Sequence, residues 1–159
     1  MRKEIEMRGI LYPSFVSVRG AFGLLVLRLV VGAAFIFHGW PKIQNPFGWM
    51  GPDAPMPGIL LFLAALAEFG GGAALILGAL TRVAALGLAA TMAVAGMVHI
   101  RAEDPFVSLT GGRSWELAAI YFACSVLFLL AGSGRFSLDA LLFSDRGNPT
   151  QFGQAARAA

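Results

Sequence analysis

Arg28, His38, Glu68, His99 and Glu116 are ionisable residues set inside, or at the edge of, long apolar stretches. A charged side chain at the centre of such a stretch costs about 2.5 to 3.5 kcal/mol on membrane-insertion scales, and is kept there by pairing, by a wet cavity or by chemistry. Histidine suits proton transfer near neutral pH, while arginine or lysine stabilises a developing oxyanion. At 1.5 Å of helical rise per residue, Arg28 lies about 11 Å from the inner end of its stretch and Glu68 about 18 Å from the inner end of its own. An intramembrane Arg28–Glu68 ion pair is therefore expected, either as a fixed helix-ordering pair or as a functional one. His38, His99 and Glu116 fall together at the outer rim, with Lys42, Arg101 and Arg113 in the adjoining loops. His38, Glu68 and His99 are the candidates for proton exchange; the bland alternative for the histidines is solvation or helix capping at the interface. A metal cage is not predicted. Glu68 sits roughly 13 Å below the rim residues by helical rise, and no helix carries a Glu-x-x-His pair.

The elements that position these groups are four apolar stretches, 21–40, 59–80, 83–100 and 115–132. A hydrocarbon core about 30 Å thick needs roughly 20 helical residues, so all four are read as spans, the last two only just. With 57% hydrophobic and 13% charged residues in 159, the chain is too apolar for an ordinary water-soluble domain. The fold expected is an all-α integral membrane protein, an antiparallel four-transmembrane-helix bundle within the lipid bilayer. The net charge of +3 does not point to nucleic acid, because the basic residues flank the spans and form no continuous face. Arg2, Lys3, Arg8, Arg19, Arg82, Arg135, Arg146 and Arg157 fall on one side, against Lys42, Arg101 and Arg113 on the other. That asymmetry places both termini in the cytoplasm. The lone cysteine, Cys124, excludes an intramolecular dithiol pair and reads as a small packing residue.

Residues 1–20 read as a cytoplasmic or interfacial segment, 21–138 as the transmembrane domain and 139–159 as a cytoplasmic tail. Small residues crowd the second and third spans, which favours close helix approach and permits a homo-oligomer. Arg28, Gly32, Phe35 and Gly39 share one helical stripe, so Arg28 is expected to face inward, the alternative being that it snorkels toward the cytoplasmic interface. Phe35, Phe37, Trp40, Phe62 and Phe69 are candidates to line a ligand site, against the usual role of aromatics as core or lipid contacts.

Several local patterns, in order and spacing, resemble the DoxX family of small bacterial membrane proteins. They are Leu27-Arg28 with Gly32 and Phe35, the run His38-Gly39-Trp40-Pro41-Lys42, and Glu68-Phe69-Gly70-Gly71-Gly72 with Gly78. They continue with Thr81-Arg82, His99, Glu116-Leu117-Ala118 with Tyr121, and Gly132-Ser133-Gly134-Arg135-Phe136-Ser137-Leu138-Asp139. The resemblance implies a four-span inner-membrane protein linked to electron transfer, with Arg28, His38, Lys42, Glu68, Arg82, His99 and Glu116 as the motif residues. On that footing the leading expectation is a membrane subunit of an oxidoreductase system. A quinone-like ligand would lie between the helices, contacted by Arg28, Lys42, Glu116, Phe35, Trp40 and Phe69. Its partner would be a soluble redox protein or a second membrane subunit, since no haem, flavin, nicotinamide or iron–sulfur motif occurs. A small-molecule or ion transporter and a non-catalytic membrane anchor are the rival readings.

Overall fold

A computed structural model describes residues 17–143. Most of the expected N-terminal interfacial segment and most of the expected C-terminal tail lie outside the described residues. The described chain contains α1 (Val18–Gln44), α2 (Gly58–Leu77), α3 (Thr81–Arg101), α4 (Glu116–Ala131) and a short α5 (Leu138–Phe143), with no strand among the described residues. Three of these helices, α1, α2 and α3, are long and apolar enough to cross a membrane. The 16 residues of α4 rise only about 24 Å, short of a 30 Å hydrocarbon core. No more than a third of each long helix's apolar window is buried inside the protein. Large side chains such as Val30, Phe37, Leu63, Leu86 and Leu130 point outward. A surface this apolar suits lipid rather than water.

Local sequence explains where the helices begin and end. Ser17 caps α1, its hydroxyl accepting the Gly20 N–H at 3.2 Å. The helix does not stop at Trp40, as the Pro-Lys run suggests, but continues through Pro41 to Gln44. Proline this close to a C-terminus removes one backbone donor without breaking what precedes it. The α2–α3 turn lies earlier than expected, at residues 78–80, since Thr81 and Arg82 belong to the first turn of α3. Gly78 ends α2 in the left-handed conformation at φ 65°, and Leu80 follows at φ 48°.

Glycines set the approach of α1 to α2. A Cβ on Gly32 would lie 2.7 Å from the Gly72 carbonyl oxygen, and one on Gly39 would lie 2.5 Å from the Phe69 backbone nitrogen. The backbones therefore touch where these residues meet, as small-residue helix interfaces allow. Residue numbers rise on one helix as they fall on the other, so the two run in opposite directions. Leu24, Val31, Phe35, Leu75, Leu88, Met92 and Phe128 fill the core shared by α1 to α4. The most extensive contacts are α1 on α2 and α3 on α4, and α2 meets α3 less closely. That unevenness leaves a groove between α2 and α3.

Candidate functional site: a groove between the second and third helices

The stripe Arg28, Gly32, Phe35, Gly39 continues by one more helical step to Lys42, because α1 runs on past Pro41. Lys42 reaches Glu68 of α2, and its Nζ donates to both carboxylate oxygens at 2.6 Å. Glu68 is 2% exposed. The Lys42 side chain retains 23% of its exposure and stacks its Nζ over the Trp49 ring at 4.6 Å from the centroid. Trp49 is held in turn by its indole N–H, which donates to the Leu61 carbonyl at 3.0 Å. The pair thus sits beneath the α1–α2 loop, with an aromatic face screening its cationic end.

The expected Arg28–Glu68 pair does not form. The register that sets Gly39 against Phe69 places Glu68 level with the C-terminal end of α1, some 11 residues and about 16 Å from Arg28. Arg28 is nonetheless buried, 1% exposed, and faces inward as its stripe predicts. Its guanidinium donates to the Ser133 carbonyl and, at 2.6 Å, to the Phe136 carbonyl. It packs against Gly78, where a Cβ would lie 2.5 Å from Nη1. Asp139 completes this inner cluster: its carboxylate accepts the Leu80 N–H at 2.7 Å and the Thr81 N–H at 3.0 Å. Its own N–H donates to the Gly78 carbonyl at 2.8 Å. Arg28 therefore fastens the segment after α4 to α1, and Asp139 fastens it to the α2–α3 turn, away from the Lys42–Glu68 pair.

At the rim, His99 and Glu116 do not form the expected cluster with His38. His99 Nδ1 lies 2.8 Å from Asp104 Oδ2, and Arg113 Nε donates to the same oxygen at 3.0 Å. The ordinary carboxylate range is lowered for Asp104, chiefly by the His99 hydrogen bond, with burial opposing and Arg113 assisting. His38 is exposed on α1 and meets Tyr121 of α4 edge-on, with ring centroids 6.2 Å apart. Tyr121 in turn packs on Phe35 at 4.9 Å, so Phe35 is a core residue and lines no groove. Glu116 opens α4, its backbone N–H donating to the Phe106 carbonyl at 3.0 Å. Trp40 and Phe69 pack against each other at 5.8 Å, with Trp40 largely exposed. No group of three or more His, Cys, Asp or Glu side chains suited to a metal occurs among the described residues.

The groove is a cavity of about 840 Å³ that follows α2 and α3 from Met56 and Trp49 near the α1–α2 loop to Leu80 and Val83 at the α2–α3 turn. Small residues, among them Ala67, Gly71, Gly87 and Ala90, hollow out its walls. Three ionisable groups meet its space, Lys42, Glu68 and His99. This arrangement offers an apolar bed, a buried cation–carboxylate pair and an imidazole on one wall. Asp104 and Trp49 were not singled out by the sequence. The clue to Asp104 would have been its place just beyond the end of α3, where a chain turning back meets its own last helical turn.

Long helices with lipid-facing surfaces, an ion pair buried within them and a groove along their length define an all-helical membrane protein. The chain belongs to the DoxX family: the family model, described as DoxX, matches residues 23–100. It is 34% identical over 126 residues to the "Inner membrane protein YqjF" of Escherichia coli K12, an alignment covering 76% of this chain and 92% of that protein. An "Uncharacterized protein" of Haemophilus influenzae is 33% identical, covering 76% and 90%. The Bacillus subtilis protein named "Putative oxidoreductase CatD" is 26% identical, covering 79% and 91%. No solved structure matches the chain.

Proposed function

We propose that this DoxX-family protein is a four-span membrane subunit of an oxidoreductase system that holds a quinone-like ligand in the α2–α3 groove. The observation that carries the reading is the Lys42–Glu68 pair buried in the wall of an otherwise apolar cavity of about 840 Å³. Its size falls within the usual range for small-molecule sites, about 300 to 1,000 Å³, and such sites combine apolar walls with a few placed polar groups. The names of the Escherichia coli and Bacillus subtilis relatives support an inner-membrane location and a link to oxidoreductase chemistry. The excess of basic residues on one side supports cytoplasmic termini, and a bilayer thinned around α4 accommodates its shorter span. The domain runs through 21–138. A soluble redox protein or second membrane subunit supplies electrons.

The residues present fit such a ligand. A quinone supplies exchange of two electrons and two protons when bound. Lys42 donates a charge-assisted hydrogen bond to a ligand oxygen while Glu68 holds its ammonium in place. Small side chains on the facing walls admit a flat ring or a chain between the helices. Trp49 closes the outer mouth with its ring over Lys42. His99 stands where a proton can pass between the groove and the outer water. His38 and Phe35 lie on the α1–α4 side and take no part in binding.

Equilibrium titration of the purified protein in nanodiscs with ubiquinone-1 and with menaquinone-1 tests the reading. Binding should weaken at least tenfold in Glu68→Gln and in Lys42→Met and stay unchanged in His38→Ala. Equal affinity in all of these proteins, or no binding to the wild type, refutes the assignment.

A further inference from the structure

The end of α3 is built in a way that its helix geometry does not require. The N–H of Glu103 donates to the Ile100 carbonyl and that of Asp104 to the His99 carbonyl, both at 3.1 Å. These two bonds make a Schellman motif, in which the residue in the left-handed conformation is usually glycine. Here it is Glu103, at φ 58°, a conformation that costs a side-chain-bearing residue about 1 to 2 kcal/mol. The motif ordinarily brings an apolar side chain past the helix end onto one in the last turn. In this chain the same geometry brings the Asp104 carboxylate onto the His99 ring. Arg113, from the far end of the loop, donates to the same Asp104 oxygen. Loop closure is reinforced by the Trp115 and Glu116 N–H groups, which donate to the Pro105 and Phe106 carbonyls, and by Phe106 against Trp115 at 4.5 Å.

From this geometry we infer that Asp104, fixed by Arg113, makes His99 a one-sided proton acceptor at the outer end of the groove. An ionised carboxylate has no proton to give, so Nδ1 must carry the hydrogen between it and Asp104. In the neutral ring the lone pair then falls on Nε2, at the opposite edge of a side chain that borders the groove. The group it serves is a hydroxyl on an aromatic or quinol-type ring bound there. Accepting that proton breaks the ligand O–H and forms Nε2–H, and the electron pair stays on the ligand oxygen. The imidazolium so formed keeps its Nδ1–H on Asp104, which stabilises the charge. The charged groups around His99 are Asp104 and Arg113 on the loop, with Arg101 and Glu103 exposed beside them. Asp104 and Arg113 are positioning residues. The proton-accepting role rests on the groove being the ligand site, whereas the state of the ring does not.

The test is 15N NMR of histidine-labelled full-length protein in nanodiscs, in which His38 and His99 are the two histidines of the chain. In the wild type above neutral pH, His99 should show a protonated Nδ1 and an unprotonated Nε2. In Asp104→Ala the acceptor is gone, and His99 should lose the Nδ1–H tautomer in favour of the Nε2–H form while His38 is unmoved. Arg113→Ala, which leaves the His99–Asp104 contact in place, should keep the wild-type tautomer and guards against a misfolded first variant. A wild-type ring protonated on Nε2, or an Asp104→Ala ring held on Nδ1–H as firmly as the wild type, overturns the inference. Ubiquinol-1 added under nitrogen should shift the wild-type Nε2 signal. A wild-type ring with the Nδ1–H tautomer and no response to ubiquinol-1 refutes the proton-accepting role together with the groove as ligand site, and leaves the dyad standing.

Discussion

Replacing Lys42 with methionine keeps most of the side chain's volume and leaves Glu68 buried without its cation. Both Glu68 oxygens lie 2.6 Å from Nζ, so no other described donor takes over the charge. The carboxylate is then buried without its partner, and breaking a buried pair from one side costs about 3 to 5 kcal/mol. The partial exposure of Lys42 moves the expected loss towards the lower end, about 3 kcal/mol. Stability measured by reversible unfolding in bicelles should therefore fall by about that much in Lys42→Met. Lys42→Met combined with Glu68→Gln, which removes the unpaired charge, should recover more than half of the loss. A Lys42→Met loss below about 1 kcal/mol, or a double variant no better than the single one, refutes the prediction.

Three further outcomes follow from other parts of the fold. Gly39→Ala should cost about 1 to 3 kcal/mol, because its Cβ would lie 2.5 Å from the Phe69 backbone, whereas Gly23→Ala, with nothing within 4 Å, should gain up to about 1 kcal/mol in the same unfolding assay. Asp139→Ala should cost about 1 to 2 kcal/mol and speed hydrogen exchange at the Leu80 and Thr81 amides that its carboxylate accepts. The Asp104 carboxyl has a lowered folded-state pKa, so its contribution is present above the usual value near 4 and is lost as pH falls through the lower folded value. Acid unfolding of the wild type below about pH 4 should thus include a step in which the 102–115 loop loosens, absent from Asp104→Asn, as read by the Trp115 environment.

The long apolar helices, the inward face of Arg28 and the crowding of small residues were all legible in the sequence, because each is a property of one segment and its 3.6-residue period. Partnerships between segments were not. The Arg28–Glu68 expectation rested on depth measured from assumed helix ends, and a few residues of extension through Pro41 carried Lys42 onto Glu68 instead. The glycine contacts that decide the register, Gly39 on Phe69 and Gly32 on Gly72, are visible as glycines but do not name their opposite numbers. Asp104 was hidden for a different reason. The left-handed residue before it is glutamate, so the usual glycine marker of such a helix end is missing. Asp139 lay beyond the last span, in a segment whose apolar run is too short to announce that it folds back on the inner turn.

The central claim is that the groove walled by α2 and α3 holds a quinone-like ligand beside Lys42 and Glu68. Photolabelling of the full-length protein in nanodiscs with an azido-ubiquinone, followed by peptide mass spectrometry, tests it most directly. Label should fall on α2 and α3 residues facing the groove, such as Leu61, Ala67, Ala90 or Thr91, be displaced by excess ubiquinone-1 and be diminished in Glu68→Gln. Label that falls on the α1–α4 side around His38 and Tyr121, or that excess ubiquinone-1 does not displace, would contradict it.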